Sequence, residues 1–137
     1  MHKWLTVAVL CAMVCGVSLV SIGAEEEPSM PADMAQYFVG LIYRGEKWTP
    51  EVNAETTGIQ KAHLANIGKL VETGQLVLAG PFGDDGKLRG LFFFDVKTME
   101  EARKLADSDP AVRTGRLRVE LHPWWGTTAL RGLVKKP

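Results

Sequence analysis

The chain has 137 residues and 46 % hydrophobic content, enough for a packed core of its own, with sixteen basic side chains balancing sixteen acidic ones. That length is one domain. The charge balance leaves no basic excess for nucleic acid and no polybasic patch for a membrane surface.

The first segment differs from the rest. His2 and Lys3 give a weakly basic start, and Leu5 to Val20 is apolar apart from Thr6, Gly16 and Ser18. "SIGA" follows, then the acidic "EEE". This is the layout of a secretory signal peptide, residues 1–24, with cleavage expected after Ala24. The alternative is a membrane anchor, but the run falls short of the usual span of about 20 residues. The expected product is exported, to a bacterial periplasm or outside the cell, with no membrane insertion after cleavage. Cys11 and Cys15 leave with the leader, so neither thiol catalysis nor cysteine metal ligation is open to the mature chain.

Residues 25–35 carry Pro28 and Pro31 without periodicity and read as a flexible lead. The folded domain is expected over 36–126. "QYFVGLIY" (36–43), rich in β-branched and aromatic residues, predicts a strand. "WTPE" (48–51) predicts a helix start, with Thr49 as cap and Pro50 in the first turn. The helical pattern runs to about Thr73, where Gly74 stops it. "QLVLAG" (75–80) predicts a second strand, "PFGDDGK" (81–87) a turn and "LRGLFFFDV" (88–96) a third strand. In "KTMEEARKLADS", Thr98 and Glu101 form a capping box ahead of a second helix. "SDPAVRTG" is a short capped turn. "RLRVELH" (116–122) alternates strictly and predicts a fourth strand. Residues 127–137 form a C-terminal tail.

The order β-α-β-β-α-β predicts an α+β, ferredoxin-like fold with an antiparallel sheet. Its helices cover one sheet face. Yet Leu91 and Phe93 should oppose Phe92 and Phe94, and Leu76 and Leu78 should oppose Val77 and Ala79, so both faces of the central strands are apolar. A second copy of the same sheet is the simplest cover, which predicts a homodimer.

One helical position is out of character. On a wheel set at Ile59, Leu70 falls at about 20°, Ile67 at about 80° and Val71 at about 120°, while His63 falls at about 40° inside that apolar stripe. An imidazole there is either a core histidine bonded to a backbone carbonyl or a working group. In the second case it needs a carboxylate to fix its tautomer and make the other nitrogen a general base. Asp109 is the candidate, although Asp before Pro110 is also a helix cap. Asp107 and Ser108 compete for the role in the same stretch.

These residues carry a resemblance. The helix His63, the "GP" of Gly80 and Pro81 after the second strand, the "EEA" helix opening and the "DP" of Asp109 and Pro110 resemble the YciI-like family, the YCII-related domain. The resemblance implies a dimeric α/β barrel of ferredoxin-like halves with a His–Asp site, here His63 and Asp109. It further implies acid–base chemistry of lyase or isomerase type on a small organic molecule. Gly80, Pro81, Ser108 and His122 are the expected substrate-binding residues. A non-enzymatic ligand-binding or structural dimer of the same fold is the alternative.

On the fourth strand, Arg116, Arg118, Glu120 and His122 share a face. They predict either a solvated edge or a pocket rim that holds an anionic group. Trp124 and Trp125 should lie beyond that strand and pack across the dimer. Asp84 and Asp85 read as hairpin-turn residues. A metal site could draw only on His63, His122 and Asp109, a poor supply for a catalytic zinc. With no phosphate loop, dinucleotide fingerprint or serine elbow either, the expectation is no metal and no cofactor.

Overall fold

β1 (Met34–Arg44) is the centre of the domain: it pairs antiparallel with β3 (Leu88–Phe94) on one side and with β4 (Leu117–Thr127) on the other. β2 (Leu76–Pro81) joins the outer edge of β3, giving the order β2-β3-β1-β4. With α1 (Ala54–Glu72) after β1 and α2 (Met99–Ser108) after β3, this is the ferredoxin-like α+β arrangement. The computed structural model describes residues 30–133. The expected leader and residues 25–29 of the expected lead lie outside the described residues. No helix among the described residues is long and apolar enough to cross a membrane.

α1 begins later than the "WTPE" signal suggests. Asn53, not Thr49, is the cap: its side chain accepts from Thr56 N–H at 3.0 Å, and the Thr56 hydroxyl accepts from Asn53 N–H at 3.0 Å. This reciprocal pair satisfies two free amides at once, which a lone Thr-Pro start cannot do. Thr49 instead receives the Glu51 amide. Asn53→Ala should cost about 1 kcal/mol of unfolding free energy, measured as a shifted denaturant midpoint with unchanged slope. At its other end α1 stops at Gly74, whose φ of 73° is the left-handed conformation that glycine adopts without penalty. In α2, Thr98 caps Glu101 N–H as expected, but the Glu101 carboxylate reaches Lys97 N–H rather than that of Thr98.

Under the helices lies one apolar cluster. Phe38 and Ile42 of β1, Phe92 and Phe94 of β3, and Val119 and Leu121 of β4 pack against Leu70 of α1. Ala102 and Ala106 bring α2 close. Phe92 and Phe94 do share this face, opposite Leu91 and Phe93. β2 departs from the expected alternation. Its register with β3 shifts between Leu76 and Leu78, so Leu76 faces Phe94 and Ala79 faces Phe92. Val77 sits in the bulge and joins the opposite face with Ala35, Tyr37 and Phe93. A single extra residue in one strand reverses the alternation beyond it.

That opposite face is partly covered by the chain itself. β4 runs five residues past its expected end, to Thr127, because β1 starts early and offers partners as far as Met34. Trp124 therefore lies inside the strand, edge-on to Phe93 at 5.4 Å and beside Tyr37 at 6.0 Å. The tail then turns into a 3₁₀ helix (Thr128–Leu133) that places Leu130 on the Tyr37 and Val77 cluster. Arg131 ties it down with bonds to Asp95 of 2.7 and 2.8 Å.

Candidate active site at the His63–Asp109 pair

α1 buries Thr56, His63 and Leu70, one residue in every seven. The narrow contact stripe leaves Leu64 57 % exposed, although at about 140° on the same wheel it lies next to Val71. α1 thus stands away from the sheet on its Leu64 side, and a cleft opens there.

Asp109 is held by local chemistry. It ends α2 and starts α3 (Pro110–Arg113), in an extended conformation that the following proline requires. Its backbone N–H donates to Ala106 O at 3.2 Å, and its Oδ1 accepts from Ala111 N–H at 2.9 Å. The carboxylate is 1 % exposed, one of the most completely buried side chains of the domain. α3 packs on α1, which brings Asp109 against the imidazole forty-six positions earlier.

Nδ1 of His63 lies 2.9 Å from both carboxylate oxygens of Asp109. A carboxylate accepts only, so Nδ1 carries the proton and donates it. Asn66 Nδ2 donates to Oδ2 at 3.1 Å. The buried carboxylate thus has three donors: an imidazole, an amide side chain and a backbone N–H. The other ring nitrogen, Nε2, makes no hydrogen bond to the described residues, and it is not among their sealed, unpartnered polar atoms. Phe92 flanks the ring, with centroids 6.2 Å apart.

His63 lines a cavity of about 330 Å³ between α1 and the β2–β3 end of the sheet. Its walls are apolar: Ile42, Leu64, Ile67, Ala79, Phe92 and Leu117. Gly80, Pro81 and Gly90 border it along the hairpin, and its other polar side chains are Gln60 and Arg89. The volume is at the lower end for small-molecule sites.

Of the residues singled out in the sequence, His63, Asp109, Gly80 and Pro81 meet at or beside this cavity. Ser108 does not: its hydroxyl donates to Leu105 O at 2.7 Å, closing the last turn of α2. His122 does not either. It pairs with Val39 on the face turned away from the helices, and its Nε2 lies 2.9 Å from Glu120. Strict alternation along β4 forces this, since Val119 and Leu121 take the helix side. The metal set of His63, His122 and Asp109 is therefore split across the sheet, and the described residues hold no other cluster of three such side chains.

Two contributors were not singled out from sequence. Asn66 follows His63 by three positions, so helical spacing alone puts it on the same face. Arg89 had no such signal, because alternation assigns it to the face of Leu91 and Phe93. In the β1–β3 ladder Ile42 faces Gly90 and Tyr43 faces Leu88, so Arg89 is the extra residue of a bulge. Bulges re-aim side chains.

The sequence model of the YCII-related domain matches residues 37–125, which contain α1, β2, β3, α2 and α3 whole and most of β1 and β4. The chain belongs to the YCII-related domain family. No curated protein matches it. Among solved structures it is similar to 5-chloro-2-hydroxyhydroquinone dehydrochlorinase (TftG) from Burkholderia phenoliruptrix AC1100, solved in complex with 2,5-dihydroxybenzoquinone. That likeness has 19 % identity and a TM-score of 0.46, and it covers 63 % of this chain and 92 % of that one. In this YCII-related domain the His63–Asp109 pair joins α1 to the start of α3, and the "GP" of Gly80 and Pro81 borders the cavity that His63 lines.

Proposed function

We propose that this protein is an exported dimer whose His63–Asp109 pair performs acid–base chemistry on a small organic molecule, of lyase or isomerase type. One observation carries the reading: a buried carboxylate holds Nδ1 of an imidazole whose Nε2 is left unbonded beside an apolar cavity. Nε2 is the base. It takes a proton from an activated C–H of the ligand, and Asp109 stabilises the imidazolium that results. The same nitrogen returns the proton at another atom in an isomerisation, or holds it while a leaving group departs in an elimination. Gly80 and Pro81 bound the ligand's space with backbone. A core histidine of the expected kind would bond a backbone carbonyl, whereas His63 meets a buried carboxylate.

The reading is tested with a panel of small carbon acids: cyclic enones, β-keto acids and substituted hydroquinones. Each is incubated in D₂O with the protein and followed by proton NMR. Deuterium should enter at one activated carbon of at least one compound, at a rate that depends on His63. Equal rates for the parent and His63→Gln across the whole panel would remove the catalytic reading and leave a binding module of the same fold.

The dimer rests on the second sheet face. The chain's own tail covers the Tyr37 end, but Leu78 and Trp124 remain 43 % and 40 % exposed. A second sheet packed there would bury them. Light scattering at micromolar concentration should give twice the monomer mass, and a monodisperse monomer would contradict this. Export rests on the leader composition. Amino-terminal sequencing of protein from its native host should begin near Glu25, and an intact Met1 would overturn it.

A further inference from the structure

Arg89 has no task in the acid–base step, yet the fold spends a β-bulge on it. As the residue between Leu88 and Gly90 that has no partner on β1, it lines the same cavity as His63. Its bonds are one-sided. Nη1 donates to Asp84 O at 2.8 Å and Gly86 O at 3.3 Å, and lies 3.4 Å from Asp85 Oδ1. All three anchor the guanidinium to the β2–β3 turn. Neither Nε nor Nη2 has a hydrogen-bond partner among the described residues, although an Nε/Nη2 edge is a two-pronged donor that fits a carboxylate. Asp85 is itself 86 % exposed and is shared with Arg44, whose guanidinium stacks on Trp48 at 4.0 Å. Two guanidinium groups therefore share one solvated carboxylate at this corner, while the Asp84 side chain is turned to the Gly86 amide. The rest of the cavity wall is apolar, apart from His63 and Gln60.

We propose that the cavity takes a small organic anion and that Arg89 holds its acid group, leaving the apolar body of the ligand among Ile42, Ile67 and Phe92 and within reach of His63. This rests on the cavity being the working site. It adds a substrate class, a carboxylate or a comparably acidic enol or phenol on a single-ring or similarly sized frame. It also assigns Arg89 as the residue that selects for charge. Asp85 competes with the ligand for the same guanidinium.

The test compares benzoate with benzamide, two probes of nearly equal shape that differ in charge. Binding is followed by titration calorimetry and by the imidazole NMR signals of His63, which place the probe in the cavity. The parent should bind benzoate at millimolar concentration and benzamide at least about ten-fold more weakly. Arg89→Met should bring the two to the same affinity. Asp85→Asn, on an exposed turn, should tighten benzoate several-fold and leave benzamide unchanged. It decides the matter if Arg89→Met fails to fold. His63→Gln should keep the preference for benzoate, which separates this proposal from the acid–base reading. Proton exchange that does not depend on His63, with the preference for benzoate intact, would count against the base alone. No benzoate binding by the parent, equal affinity for the two probes, or a preference that survives Arg89→Met would overturn the proposal. So would an Asp85→Asn variant that binds benzoate no more tightly than the parent.

Discussion

His63→Gln should give a folded protein that has lost turnover by about 100-fold or more, the size of effect expected when a positioned general base is removed. Glutamine is the right replacement. Its amide can still donate to Asp109, which already accepts from Asn66 and Ala111, so the buried carboxylate keeps its partners. What it lacks is a basic nitrogen. His63→Leu makes the opposite trade. It adds apolar contact to the stripe but withdraws one of the donors on which a 1 % exposed carboxylate depends. Leaving such a group short of a partner costs on the order of 2 kcal/mol, so His63→Leu should be the less stable of the two. The wheel alone suggests that leucine would stabilise the helix, and it is Asp109 that reverses the sign. A fully active His63→Gln, assayed on a substrate from the deuterium panel, would contradict the acid–base reading.

Asp109→Ala should destabilise the domain by roughly 3 kcal/mol, the sum of about 1 for a lost helix cap and about 2 for buried donors left without an acceptor. Asp109→Asn separates the two roles. Its side-chain oxygen can keep the Ala111 bond, and Asn66 can turn its own amide to meet the new NH₂, so the cap survives. The charge does not. Without a carboxylate the imidazole is free to take either tautomer and gains no help when it becomes charged. In a comparable His–Asp arrangement the neutral amide costs orders of magnitude in rate. A loss on the order of 100-fold, with a melting temperature within a few degrees of the parent, is the expected outcome. Parent-like turnover in Asp109→Asn would reduce Asp109 to a cap.

The sequence carried the fold because its signals were local and agreed with one another. The alternation in "RLRVELH", the Thr98 box and the stop at Gly74 each bound one element, and the order of elements then left one sheet topology. It misread the places where two local signals competed. Thr49 and Asn53 both offer a cap, and only the reciprocal bond with Thr56 decides between them. The β2 alternation failed because one bulge residue, Val77, moved Leu78 to the other face. The His63–Asp109 meeting was legible only through residue types and a family resemblance, since no spacing rule brings positions 63 and 109 together. Asn66 was within reach of helix geometry. Arg89 was not, because its re-aiming depends on a mismatch between two strands that neither strand shows alone.

The most direct measurement is the tautomer of His63. A long-range proton–nitrogen NMR spectrum of protein labelled at its imidazole nitrogens, recorded where the ring is neutral, reports which nitrogen carries the proton. The geometry requires Nδ1–H toward Asp109 and a bare Nε2 open to the cavity, with Asp109→Asn relaxing this to a mixture. A parent spectrum with the proton on Nε2 and a bare Nδ1 would mean that the imidazole does not donate to Asp109, and His63 would not be the base.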